Sequence, residues 1–358
     1  MKPKRLLTLL LLLAGYAVPQ AQVQFRVIGA AQRIDKIMES GFYIAEIRDE
    51  RNFTANLGIV NRGLDCDIKR PLIAESDFFS NLKSRMNGWL MHDAEAEPVV
   101  LHIRQLYLWE DLRRELDDGE GFIRLDLLFE APGKPTQNIT VTLSGDQLTV
   151  AKGHSPRMED AFFHCLQRYQ ERWENSDFRE IEEESLADAW SGRGLQTISN
   201  FLDLRQGRMN TFPGKLKRVQ VIGRLERYRL RNREQSERYN FYALQEGNEL
   251  FIRGNAYPGG ADYYTRVLEK GRYLFLIDRV HFPMKSTFVD AGIPSGKIVG
   301  ILIDMKTGMP QIVTDELIAE VLKPYPDLKK QYLFQNILDY PVQLDRVRKV
   351  IAEVNRRS

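Results

Sequence analysis

Several short stretches of this chain carry residue types that could do chemistry. Gly153-His154-Ser155-Pro156-Arg157 falls between a predicted strand and a predicted helix, the setting in which a G-x-S-x-G turn presents a nucleophilic serine. The fifth position is Arg157, where that sharp turn requires glycine. Ser155 suits a helix N-cap and Pro156 the first helical position, so helix initiation accounts for both. Gly292-Ile293-Pro294-Ser295-Gly296-Lys297 has the parts of a phosphate-binding loop. Three residues rather than four separate its glycines, however, and Ile298 stands where Ser or Thr would hold magnesium. The five histidines, His92, His102, His154, His164 and His281, show no pairing of metal ligands. His164 and Cys165 are adjacent and project about 100° apart on a helix. Asp117-Asp118-Gly119-Glu120 lacks the alternating oxygen ligands of a calcium loop and reads as a hairpin turn. These residues assign no catalytic side chain, no metal and no cofactor.

Recognition is better represented. Arg224, Arg227, Arg229, Arg231, Arg233 and Arg238 form the densest basic stretch. On a strand Arg227, Arg229, Arg231 and Arg233 share one face, and Tyr228 and Leu230 take the other. A row of guanidinium groups is an anion-binding face for phosphate or carboxylate. Glu226, Glu234 and Glu237 interleave with it, so a solvated, self-paired strand face is the alternative. Tyr257, Tyr263 and Tyr264 flank Pro258-Gly259-Gly260, a loop that either stacks on sugar rings or is simply held down by its aromatics.

The elements that must position these residues follow from periodicity. Tyr43, Ala45 and Ile47 start a strand; Phe78, Phe79, Leu82, Met86, Trp89 and Leu90 recur at helical spacing. Val99 to Trp109 is a long apolar strand. Ile123, Leu125, Leu127 and Phe129 alternate with polar residues, as do Ile139, Val141 and Leu143, and Leu148-Thr149-Val150 continues the meander. Phe162, Leu166, Tyr169 and Trp173 form a helical stripe. Asp177 to Trp190 is an acidic helix candidate, with Asp177 and Glu180 at capping-box spacing. Further strands are predicted over 215–230, 239–244, 249–253, 266–268, 272–280 and 297–305. Thr314 caps a helix, and Leu344, Val347, Ile351 and Val354 mark a final one.

The fold class these imply is α/β, a mixed sheet with helices, followed by a strand-rich α+β domain. The expected boundaries are a signal peptide over 1–21, a mixed α/β domain over 22–176, an acidic helical linker over 177–212 and an α+β domain with C-terminal helices over 213–358. Each half is long enough to bury a core of its own and is expected to fold separately.

The chain opens on the basic Met1-Lys2-Pro3-Lys4-Arg5, runs through an apolar stretch from Leu6 to Leu13 and reaches small residues before Ala17 or Ala21. That is the three-part pattern of a secretory signal, too short for a stable membrane span. It implies a periplasmic or secreted protein. The cut falls after Ala17 or Ala21, with Ala21 preferred. Hydrophobic and charged fractions of 43% and 28% are those of globular proteins. The net charge of +2 hides a division: 21 basic and 31 acidic residues from Gln22 to Leu202, against 25 and 17 from Thr211 to Ser358. Either the basic half has an anionic partner, or the halves dock on each other, or both are solvated surfaces of opposite bias. Cys66 and Cys165 are the only cysteines. A bridge is compatible with export, but the apolar helix face around Cys165 favours two free thiols.

Asp49-x-Arg51 at a strand end, a Gly-containing loop, a helix, a meander and a terminal helix together resemble the small α/β domain of YajG-type periplasmic lipoproteins, over roughly 40–175. The lipidated cysteine of that family has no counterpart here. Ile303-Asp304-Met305-Lys306-Thr307-Gly308, followed by the helix from Thr314, resembles exported uncharacterised proteins of Bacteroidota. Neither resemblance implies an activity. The expected function is a non-enzymatic envelope protein that binds through its second half; the alternative is a hydrolase whose site is assembled from distant residues. The expected partners are another envelope protein, an anionic glycan or a lipid head group, with no nucleic acid and no membrane span after the signal.

Overall fold

The computed structural model describes residues 23–25, 37–62, 68–112, 119–144, 154–176, 194–222, 225–231, 241–282, 295–333 and 340–358. The first half contributes β1 (Val23–Phe25), β2 (Met38–Glu39), β3 (Phe42–Asp49), β4 (Gly58–Arg62), β5 (Ile68–Ala74), α1 (Phe78–Trp89), β6 (Leu90–Met91), β7 (Glu97–Leu112), β8 (Gly119–Glu130), β9 (Gln137–Ser144) and α2 (His154–Asn175). β7 organises a mixed sheet of order β1-β5-β4-β7-β8-β9. β3 runs parallel to the start of β7, from Phe42 opposite Glu97, and β4 runs parallel to its end, with Ile59 opposite Trp109. β8 lies antiparallel to β7 along its length.

The period of two divides the long strands between two cores. Leu106 and Leu108 pack with α1 and α2, through Phe78, Leu82, Met86, Phe162, Leu166 and Tyr169. Tyr107 and Trp109, on the other face, enter a second cluster. The alternation of Ile123, Leu125, Leu127 and Phe129 puts all four in the first core, as their spacing requires.

The second half contributes β10 (Leu195–Ile198), α3 (Phe201–Gln206), β11 (Asn210–Phe212), β12 (Lys215–Ile222), β13 (Leu225–Arg231), β14 (Ala243–Glu246), β15 (Glu249–Arg253), β16 (Tyr264–Arg266), β17 (Tyr273–Arg279), β18 (Ile298–Asp304), β19 (Pro310–Ile312), α4 (Asp315–Val321), α5 (Pro326–Leu333) and α6 (Tyr340–Arg357). Antiparallel β11-β10-β14-β15-β16-β13-β12 form a seven-stranded sheet. β17-β18-β19 form a separate three-stranded sheet. Along β17 the side chains alternate: Phe275 faces α4, α5 and α6, while Leu274 and Leu276 face the second cluster. Thr314 caps α4, its hydroxyl accepting from the Leu317 N–H at 3.2 Å. The whole is mixed and strand-rich.

Three expectations change. Within the acidic linker expected over 177–212, residues 195–212 instead form β10, α3 and β11, with β10 hydrogen-bonded between β11 and β14. Asn200 caps α3, accepting from the Asp203 N–H at 2.9 Å, and Phe201 inserts into the core. The candidate helix of 177–190 lies outside the described residues. The strand expected over 215–230 is a hairpin, β12 and β13. Finally, the halves share a core. Phe53, Ile59, Tyr107 and Trp109 pack in one cluster with Phe201, Tyr242, Ile252, Leu276 and Ile301. Asn56 donates to the Thr307 carbonyl at 2.7 Å, and the Arg205 guanidinium lies 5.2 Å from the Phe53 ring centre. A boundary crossed by few core contacts is not what the molecule has.

Candidate functional site

The hairpin β12–β13 carries the basic face. Its register sets Lys215 opposite Arg231 and Lys217 opposite Arg229. Residues opposite each other in an antiparallel pair project to the same side, so these are two directly opposed like-charge pairs, an arrangement that destabilises a sheet. All four side chains are exposed. Among the described residues none has a carboxylate partner, and the one polar contact is from Arg229 Nε to the Asp262 carbonyl at 3.3 Å. Glu234 and Glu237 lie outside the described residues, and Glu226, three residues before Arg229, is on the opposite face. There it pairs with Arg218 at 2.7 Å and accepts from the Tyr228 hydroxyl. Both contacts hold its carboxyl below the usual range, and burial with the Glu226 charge pushes the Tyr228 phenol up to about 12. β12 is also the free edge of its sheet.

Arg227 departs from this row. It shares the face of Arg229 and Arg231, but β17 covers its end of the hairpin and brings Asp278 beneath it. Arg227 Nε and Nη2 donate to Asp278 Oδ1 at 3.1 and 3.0 Å, Nη2 also to the Arg279 carbonyl at 2.7 Å, and Nη1 to Gln220 Oε1 at 3.2 Å. The guanidinium lies 4.1 Å from the Tyr263 ring centre. Asp278, 1% exposed, also accepts from the Tyr257 hydroxyl at 3.0 Å and from that of Tyr263. Thr265 completes the set, 2.8 Å from the Tyr257 hydroxyl. Burial first, and the Asp278 charge second, push both phenols well up. This network ties the seven-stranded sheet to the three-stranded one; it is a fully bonded structural ion pair and offers no free guanidinium to a ligand. Arg233 lies outside the described residues.

The tyrosines around Pro258-Gly259-Gly260 are no sugar platform either. Tyr257 and Tyr263 spend their hydroxyls on Asp278, and Tyr264, on the other face of the sheet, donates to the Phe241 carbonyl at 3.1 Å. All three are buried. The loop is drawn tight: a Cβ on Gly260 would lie 2.1 Å from the Gly254 carbonyl oxygen.

Of the other candidates, α2 starts at His154, so Ser155 and Pro156 fall in its first turn. Ser295 accepts from the Phe282 N–H at 2.9 Å ahead of β18, and 292–294 lie outside the described residues. His102 is buried between Glu50 and Glu130, its ring nitrogens 2.7 and 3.0 Å from their carboxylates. His164 and His281 are exposed, and His92 lines a groove on the first half. Among the described residues no group of His, Cys, Asp or Glu is arranged to hold a metal ion. Cys165 is a buried free thiol, while Cys66 lies outside the described residues.

The residues that periodicity missed are Lys215, Lys217 and Asp278. Gly223-Arg224 between two alternating runs was the signal for a hairpin, and hence for Lys215 and Lys217 joining the face. A carboxylate directly after the apolar run Tyr273 to Ile277 was the signal for a buried partnered acid.

No curated protein matches this chain. A solved structure described as "Crystal structure of uncharacterized protein" is similar at 9% identity, over 43% of this chain and 95% of its own, with a TM-score of 0.21. Residues 224–337, which include Arg227, Arg229, Arg231 and Asp278, match the "Family of unknown function (DUF6563)".

Proposed function

We propose that this is an exported, non-enzymatic binding protein of the cell envelope that takes an anionic partner on the outer face of β12–β13. The observation that carries the reading is the double like-charge pairing, Lys215 with Arg231 and Lys217 with Arg229. Such pairs cost the fold stability, and among the described residues no carboxylate offsets them, so an external anion is what makes them favourable. The basic bias from Thr211 onward and the signal-like amino terminus agree with it.

Binding to an immobilised sulfated polysaccharide at about 0.01 M and about 1 M salt tests this, since exposed charges are screened at the higher value. Retention at low salt, release at high salt and loss in the variant K215E/K217E/R229E/R231E are expected. R227A is the wrong control, because it breaks a buried pair. Equal retention of the wild type and the reversed variant would sink the proposal.

A further inference from the structure

Among the described residues three large apolar side chains are exposed: Ile37, Met91 and Val219. They fall on two surfaces of opposite charge. β2 and β6 pair in parallel, with Glu39 opposite Met91 and Met38 opposite Leu90. Met38 and Leu90 face the core, so Ile37, Glu39 and Met91 look outward together. Glu39 and Met91 line an open groove of about 470 Å³, together with His92, Asp93, Gln170 and Glu174. Among the described residues none of its three carboxylates pairs with a cation. Asp93 accepts the Glu95 N–H at 3.0 Å, and Glu174 accepts from Gln170 Nε2 at 2.8 Å. Gln170 is 8% exposed, and among the described residues its buried carbonyl oxygen accepts no hydrogen bond. A buried acceptor without a donor is costly. Among the described residues the groove therefore lacks a cation for its carboxylates and an apolar group to cover Ile37 and Met91.

The edge strand β12 supplies both. Its register shifts between Arg218 and Gln220, leaving Val219 as the unpaired bulge residue, 43% exposed. Lys215 and Lys217 precede it on the same strand, with Arg229 and Arg231 beside them. A lysine-bearing, bulged edge repels a second copy of itself and so disfavours symmetric β12–β12 pairing. The same features fit an acidic groove with an apolar border.

We propose that the chain self-associates head to tail, the β12–β13 hairpin of one copy seating in the Glu39/Asp93/Glu174 groove of the next. Val219 covers Ile37 and Met91, and the four cations meet the three carboxylates. A contact between two different patches builds rings or open chains rather than a closed dimer. The inference rests on the hairpin being the binding face and names its partner.

Sedimentation of the purified full chain at about 0.01 M and about 1 M salt tests it. The average mass should rise with protein concentration at low salt and return to the monomer at high salt. The groove variant E39K/D93K/E174K and the hairpin variant K215E/K217E/R229E/R231E should each weaken association about tenfold. Mixing them should restore it, because each then meets a complementary surface. Both variants are checked for wild-type thermal unfolding. A wild type that stays monomeric at low salt overturns the inference, as does a groove variant that associates like the wild type or a mixture that fails to restore association. Polysaccharide retention separates this from the hairpin reading. A monomeric wild type that binds the polysaccharide through the hairpin leaves that reading standing and removes self-association alone.

Discussion

Asp278 and Arg227, 51 residues apart in sequence, meet through one carboxylate oxygen that accepts both Nε and Nη2 of the guanidinium. The pair is buried, and each partner is further bonded, Asp278 by two phenols and Arg227 by a backbone carbonyl and Gln220. It joins two sheets that no strand pairing connects.

Removing one side of that pair leaves a buried, uncompensated charge. D278A and R227A should each destabilise the fold by about 3–5 kcal/mol, read from denaturant midpoints. R229A, two positions along on the same face, should stay within about 0.5 kcal/mol of the wild type. Equal effects at Arg227 and Arg229 would contradict the division of the row.

Phe201 is fully buried between the halves, in edge contact with Phe53 at 5.7 Å and Tyr242 at 6.3 Å between ring centres. F201A should cost about 3–5 kcal/mol and lower a single unfolding transition. Fragments 23–176 and 211–358, expressed apart, should be unfolded. The cut removes β10 from the middle of a sheet and opens the shared cluster. Two folded fragments with independent transitions would refute the common core.

The phenols of Tyr107, Tyr242, Tyr257 and Tyr263 are pushed up chiefly by burial. A phenol whose folded value exceeds its unfolded one contributes stability that is complete below the ordinary value near 10 and is lost as pH rises beyond it. Through these phenols the denaturant midpoints should therefore change little from neutral pH to about pH 10 and fall above it. Phenolate absorbance of these tyrosines should appear together with unfolding. Smooth ionisation of every tyrosine near 10 with the fold intact would count against their burial.

Cys165 lies fully buried on α2, and its thiol is pushed far up by the apolar surroundings. A thiol reagent should leave it untouched in the native protein and modify it after denaturation without reductant. If reduction is needed first, Cys165 is bridged rather than free.

Local pattern was enough for much of the scaffold. A period of two placed Ile123, Leu125, Leu127 and Phe129 in one core, and helical spacing placed Phe162, Leu166, Tyr169 and Trp173 along one packed helix, because these periods are properties of the backbone itself. Thr314 capped its helix for an equally local reason. The stretch from Leu195 to Phe212 was not legible: its elements are three to six residues long, too short for a period to show, and are held by β14 and the shared core.

The basic face shows where local reading stops. The types and alternation of Arg227, Arg229 and Arg231 put them on one side of a strand, and that much was determined by sequence alone. Which of them is buried depended on β17 arriving across one end of the hairpin, and which lysines joined them depended on the register of β12. Both are pairings between segments distant in sequence, and a strand's own alternation carries no record of what will cover it.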